Sequence, residues 1–258
     1  MDAFASLNVP VAPTAHRDAA ADRQRFGSGQ RLSPAQERYF EDSMAVDIGG
    51  DLARVYHGSA VEFSEFDPAT VGRGNDQWGN GFYFTDMESM ARGYANDSGS
   101  PEDNVKEFYL NIKNPIRIDG TTQTGLDSMR FGADEAVTIL SRHPGTRLQP
   151  NEEGPDGETN PLGDYASEFW DKTEHTAAEL DELTRKVARD YFSDTGWTEL
   201  ETFFGRDRGA EFLQAMHETT GHDGVIVDFG EDGQHYVAWF PEQMKLTSNA
   251  EPDKSSTF

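Results

Sequence analysis

Two short segments, roughly two dozen residues apart, constrain this chain most. Val55-Tyr56-His57-Gly58-Ser59 reads as a strand that ends on an imidazole, a glycine and a hydroxyl. Gly81-Phe82-Tyr83-Phe84-Thr85-Asp86 reads as a second short strand, which runs at once into a helical pattern carrying Tyr94, eleven residues after Tyr83. Glycine lets another group approach the backbone closely because it has no Cβ, and two tyrosines bracketing a short helix offer flat faces. Taken singly, each feature has a plain structural explanation: a turn glycine ends a strand, and aromatics pack a core. Their joint order makes them parts of a pocket for a flat ring.

The rest of the chain supplies the scaffold. Residues 1–30 are rich in Ala, Pro, Asp and Arg without periodicity and read as a flexible N-terminal arm. Ser33-Pro34-Ala35-Gln36 is a helix start, with Ser33 as N-cap and Gln36 closing a capping box; Tyr39, Phe40 and Met44 form its apolar stripe. Residues 53–57 are a strand, followed by a loop with Phe63, Phe66 and Pro68 that runs into Gly72-Arg73-Gly74-Asn75-Asp76. Thr85 and Glu88 have the spacing of a second capping box, and Met87, Met90, Ala91 and Tyr94 share one helix face. Residues 104–112 alternate, with Phe108, Leu110 and Ile112 on one side, and Asn114-Pro115 ends that strand. Residues 120–165 are turn-rich. Thr176 and Glu179 open a helix with Leu180, Leu183, Val187 and Tyr191 in phase, and Phe212, Leu213 and Met216 mark another that stops near Gly221. Gly224–Asp228 and His235–Phe240 form a hairpin around Glu231-Asp232-Gly233. Strands at both ends of the core and helices between them predict an α+β fold with a mainly antiparallel sheet. The domain spans 31–247 with a helical insert at about 120–220, and 248–258 form a disordered tail.

Composition narrows the chemistry. Lys and Arg number 22 against 47 Asp and Glu, a net charge of −25 that repels phosphate backbones, so nucleic acid is not an expected partner. The absence of cysteine excludes disulfides, thiolate zinc sites and a Cys nucleophile. No apolar run of the roughly 18 residues that a membrane span needs is present, and Met1-Asp2-Ala3-Phe4 lacks the pattern of a secretory leader. His217 and His222 stand five apart rather than four, about 140° around a helix, so no metal is expected there. Asp228-Phe229-Gly230 has no kinase catalytic loop or strand lysine to accompany it. The acidic turns of 151–164 lack regular calcium-ligand spacing.

The pocket suits a pyridinium nucleotide. Nicotinamide adenine dinucleotide (NAD) carries a cationic ring joined to ribose, and loss of nicotinamide leaves a cation-like sugar, as in glycoside hydrolysis. Such a site needs close backbone groups for the carboxamide, aromatic faces for the ring, hydrogen bonds for the riboses, and a group to stabilise developing charge. The three motifs, in order, resemble the diphtheria-toxin-like and poly(ADP-ribose) polymerase-like ADP-ribosyltransferases, whose triad is His-Tyr-Glu. Tyr56-His57-Gly58-Ser59 is similar to the first motif, Gly79 to Asp86 with Tyr94 to the second, and Gln234-His235-Tyr236-Val237-Ala238-Trp239 to the third. The run from Leu32 to Asp47, Leu110 to Pro115, Asp223 to Val227 and Pro241 to Lys245 resembles the modules of phage polyvalent proteins. The match covers roughly residues 31–118 and 209–246.

The resemblance implies that His57 contacts ribose, Gly58 the carboxamide and Ser59 the donor, while Tyr83 and Tyr94 sandwich nicotinamide. It implies that Arg73 reaches adenine or pyrophosphate. His235 stands where the family has its catalytic Glu, with Gln234 beside it, and Ala91 stands where many relatives have a serine. The implied catalytic set is His57, Tyr83, His235 and Gln234, with NAD as co-substrate and no metal. The implied activity is mono-ADP-ribosyl transfer to a macromolecular acceptor, a protein, because loss of the family Glu argues against chain elongation. The resemblance also implies a phage or bacterial source, and action in a bacterial cytoplasm or as a delivered effector. Two other readings stand beside it. The missing Glu allows a weak or inactive NAD- or ADP-ribose-binding module, and the −25 charge allows an acidic decoy for a host factor.

Overall fold

The computed structural model describes residues 25–59, 62–71, 77–97, 104–122, 125–142, 176, 178–179, 182, 185, 194–204 and 208–250. Its centre is a seven-stranded sheet. The strands are β1 (Val55–Gly58), β2 (Phe82–Thr85), β3 (Val105–Leu110), β4 (Pro115–Asp119), β7 (Gly224–Asp228), β8 (Gln234–Ala238) and β9 (Met244–Leu246). A separate two-stranded ribbon joins β5 (Arg130–Phe131) to β6 (Thr195–Gly196). The large sheet runs in the order β4-β7-β8-β2-β1-β3-β9, and every pair is antiparallel except β4 with β7. This is the α+β, mainly antiparallel architecture expected from the sequence.

The sheet is split. β1 and β3 pair over four residues from Val55↔Phe108 to Gly58↔Val105, whereas β1 meets β2 only at Tyr56↔Thr85. Beyond that pair a wedge opens between the two central strands. Alternation then assigns side chains to faces. One face carries His57, Phe82, Phe84 and Phe108, covered by Phe66 of the loop after β1, whose ring centroid lies 5.0–5.6 Å from those of the three phenylalanines. The other face is covered by helices.

Helix α2 (Glu88–Asp97) lies over β1 and β2, while α3 (Ala133–Ser141), α4 (Trp197–Phe204) and α5 (Gly209–Thr220) build the helical layer. Trp197, Leu200, Phe204, Phe212, Leu213 and Met216 bury their side chains beneath Val225, Val227, Val237 and Trp239. Gly221 ends α5 in the left-handed conformation at φ 78°, as its position in the sequence predicted. Helix α1 (Pro34–Tyr39) has the expected capping box: Ser33 N–H donates to Gln36 Oε1 at 2.8 Å and Gln36 N–H to Ser33 Oγ at 3.4 Å.

Several expectations shift. Thr85 is the last residue of β2, so α2 starts at Glu88. Thr85 Oγ1 accepts from Met87 N–H at 3.1 Å, while Glu88 pairs with Arg92 one turn on, so the second capping box does not form. On α2 the buried positions are Ala91 and Ala95, and Tyr94 is 58% exposed. Phe26 lies within the stretch read as an arm, yet it is fully buried against Phe40, Leu52 and Tyr109. Met44 falls beyond α1 and is exposed. Thr247–Ala250 form a short helix, α6, which takes in residues 248–250 of the expected disordered tail; 251–258 lie outside the described residues. Thr176 and Glu179 make their capping box, while the stripe Leu180, Leu183, Val187 and Tyr191 lies outside the described residues.

Gln243 staples the sheet. Its Oε1 accepts from the backbone N–H of Trp239 at 2.9 Å and of Phe240 at 2.8 Å, and its Nε2 donates to Asn111 O at 3.2 Å and Asp223 O at 2.8 Å. A buried amide with all four bonds made ties the end of β8 to the β3–β4 connection and the start of β7. Gln243→Leu keeps the volume but strands these partners, at about 1–3 kcal/mol for a buried group. The variant is expected to lose about 2–3 kcal/mol in urea unfolding followed by circular dichroism.

Candidate active site

The wedge between β1 and β2 is occupied by an imidazole. His57 Nδ1 lies 2.7 Å from the Tyr83 carbonyl oxygen. A carbonyl only accepts, so the proton is on Nδ1 and the lone pair is on Nε2. The ring is enclosed by Phe63, Phe66 and Phe84, with centroids at 5.2, 5.1 and 5.4 Å. Burial lowers the imidazole pKa below 6.5, and Lys106 adds to this, against the opposing bond to Tyr83. His57 is therefore neutral at pH 7, with a fixed tautomer.

Gly58, the next residue, points to the opposite face. A Cβ there would lie 1.9 Å from the Ala91 carbonyl oxygen. Glycine is thus required by the close approach of α2, which also carries Tyr94. Ser59 continues the strand, donating its N–H to Asn104 O at 3.0 Å. Tyr83 shares the α2 face of the sheet. Its hydroxyl donates to Gly79 O at 2.6 Å and accepts from Trp78 N–H at 2.9 Å, locking the phenol into the turn before β2. Gly79 sits at φ 79°, with Leu126 and Trp197 pressed against the place of its missing Cβ.

His235 lies on the same face, paired with Thr85 across β2 and β8 and so diagonal to Tyr83, whose own partner is Val237. Its Nε2 is 2.7 Å from Met90 Sδ on α2, and its ring is 4.8 Å from that of Phe229. Phe229 in turn meets Trp78 at 5.9 Å. Burial lowers the His235 pKa below 6.5, with Asp86 opposing the shift. Gln234 faces the other way, and its Oε1 accepts from Tyr236 OH at 2.8 Å. The structure therefore gathers Tyr83, His235 and α2 on one face, joins His57 to Tyr83 through the wedge, and turns Gln234 from them. Arg73 lies outside the described residues.

Trp78, Met90 and Phe229 were not assigned to the site from the sequence. Met90 had a signal, because it lies one turn before Tyr94 on the helical face. Trp78 and Phe229 come from turns, where spacing carries no information. A cavity of about 510 Å³ opens on the opposite face beside Phe63, Phe66, Lys106 and Leu246. Phe63 and Phe66, which line it, also pack against His57, and Tyr83 and Tyr94 are not among its lining residues. Among the described residues no group of three His, Asp or Glu side chains is placed to hold a metal. His217 and His222 use their Nδ1 atoms on the carbonyls of His222 and Asn114, at 2.7 and 3.1 Å.

A family model described as ADP-Ribosyltransferase in polyvalent proteins matches residues 47–254. The chain belongs to this ADP-ribosyltransferase family. No curated protein and no solved structure matches it. The split antiparallel sheet with flanking helices is the fold of this ADP-ribosyltransferase domain, and the family's co-substrate is NAD.

The two neutral imidazoles couple stability to pH. Their folded pKa values lie below 6.5, so the unfolded chain binds more protons as pH falls through that value. Stability is fully present above about pH 6.5 and declines below it as far as the folded pKa values. Thermal midpoints between pH 7.5 and 5.5 are expected to fall, with a shallower slope in His57→Gln.

Proposed function

We propose that the protein cleaves the nicotinamide–ribose bond of NAD and passes one ADP-ribose unit to a macromolecular acceptor, a protein. The observation that carries this reading is His57, held neutral in the wedge with its Nε2 lone pair left to accept from a ribose hydroxyl. The residues present fit the nucleotide in two further respects. Tyr94 is more than half exposed on α2, and we assign its ring to stack on the pyridinium. Ala91 brings no hydroxyl, which leaves the carboxamide to the backbone of Gly58. We assign Arg73 to the adenine or pyrophosphate side. We take residues 31–247 as one functional module, with a helical insert at about 120–220. Action in a bacterial cytoplasm, or delivery as an effector, follows from the resemblance alone.

Transfer of a single unit rests on His235. A neutral imidazole lacks the negative charge with which a carboxylate supports chain elongation. The same substitution favours a second reading, in which the protein binds NAD without turnover.

Radiolabelled NAD, purified protein and bacterial extract separate the two. Nicotinamide release with label on protein supports transfer; calorimetric binding without release supports the binding module; neither, in a folded protein, removes both. Tyr94→Ala is expected to weaken NAD binding about 2- to 30-fold, from a stacking and cation–π contribution of about 0.5–2 kcal/mol. His57→Ala plus Tyr83→Ala is expected to abolish nicotinamide release, whereas a decoy acting through surface charge would keep its effect.

A further inference from the structure

The side chains that β1, β2 and β8 turn towards α2 are Tyr56, Tyr83, Thr85, His235 and Val237, with Gly58 contributing backbone. Burial holds the Tyr56 phenol above its usual range. The Tyr83 hydroxyl is committed twice to the turn at 78–79. Thr85 Oγ1 accepts from Met87. Of this set, His235 is the group able to take up a proton near neutral pH. Its Nε2 edge lies against the Met90 thioether on α2. The carboxylates nearby are engaged with backbone. Asp86 Oδ1 accepts from Gln234 N–H at 2.9 Å, and Asp228 Oδ1 from Gly230 N–H at 2.8 Å.

We propose that His235 is the general base of transfer and that the acceptor is an aliphatic hydroxyl, a serine or threonine side chain. The proposal rests on the NAD-cleaving reading above. In the step, the C1′–N bond of the donor breaks with its electron pair going to the pyridinium nitrogen. The acceptor oxygen bonds to C1′, and its proton passes to the unprotonated ring nitrogen of His235, which releases it to water. A carboxylate acceptor arrives without a proton and has no use for a base. A lysine or arginine acceptor brings positive charge towards a cation-like sugar, where a neutral imidazole offers nothing to offset the repulsion. A hydroxyl is uncharged and has to lose its proton as the bond forms, which is what a positioned base assists.

The groups facing His235 are Thr85 from β2, Val227 from β7, Met90 from α2 and Phe229 from the turn, and Asp86 is the charged group that acts on it. Burial outweighs Asp86 and keeps the ring neutral, hence competent as a base, at pH 7.

The full chain, labelled NAD and three peptide libraries test this, the libraries having serine, glutamate or arginine as their sole nucleophile. The expected result is label on the serine library, in a linkage that resists hydroxylamine, with nicotinamide released in step. The transfer rate should rise with pH to a plateau, with a midpoint below 6.5. His235→Gln is expected to lower transfer by about 10²–10⁴-fold and to remove the pH dependence, while NAD binding by calorimetry persists. His235→Glu, which restores a base, is expected to recover transfer with its midpoint moved towards the carboxylate range. Label on glutamate or arginine peptides, or native transfer by His235→Gln, overturns the proposal. Nicotinamide release with free ADP-ribose as the sole product overturns the hydroxyl acceptor and leaves NAD cleavage standing. Binding without release overturns both.

Discussion

The single residue pair between β1 and β2 is the constraint on which the rest of the structure depends. A continuous ladder would have matched the Tyr83 carbonyl with a strand amide. Instead the strands part after Tyr56↔Thr85, and the imidazole of His57 supplies the donor that the strand withholds. A buried carbonyl needs a partner, so a side chain standing in for backbone keeps the wedge open while satisfying the sheet. The residue that props the cleft apart is also the one with a lone pair left for a ligand.

The two faces at that wedge have unlike characters. On one, Phe63, Phe66 and Phe84 enclose His57 and exclude water, which fixes its charge state. On the other, the missing side chain at Gly58 lets α2 come down until the Ala91 carbonyl nearly touches the strand. That approach brings Met90 over His235 and leaves Tyr94 at the rim. A larger residue at 58 would lift the helix and disturb both contacts together.

Much of this was legible in the sequence where a local rule sets a local structure. The Ser33 box, the stop at Gly221 and the hairpin from β7 to β8 depend on turn and cap chemistry within a few residues, and they stand where expected. Rules failed where tertiary packing decides. The Thr85 box was lost because pairing with His235 holds Thr85 in the strand and delays the helix. The burial of Phe26 depends on Leu52 and Tyr109, far away in the chain. The parallel pairing of β4 with β7 could not be read from alternation, which says nothing of strand direction. The divergence of Gln234 from His235 was readable, since neighbours in a strand face opposite sides. The tie from His57 to the Tyr83 carbonyl was not, because it fills a gap in a ladder that sequence alone would draw as complete.

The parallel pair has a consequence for how such proteins diversify. The chain leaves the large sheet at Asp119 and returns at Gly224, beside Pro115 on the neighbouring strand, so the intervening segment is one excursion in the sequence between two paired strands. The entropy of closing such an excursion grows only with the logarithm of its length, about 0.6 kcal/mol per doubling. Provided the helices that cover β7 and β8 keep their apolar faces, the remainder can be lengthened, shortened or traded between relatives without moving the central strands, so recognition of new targets can evolve there while the chemistry stays still.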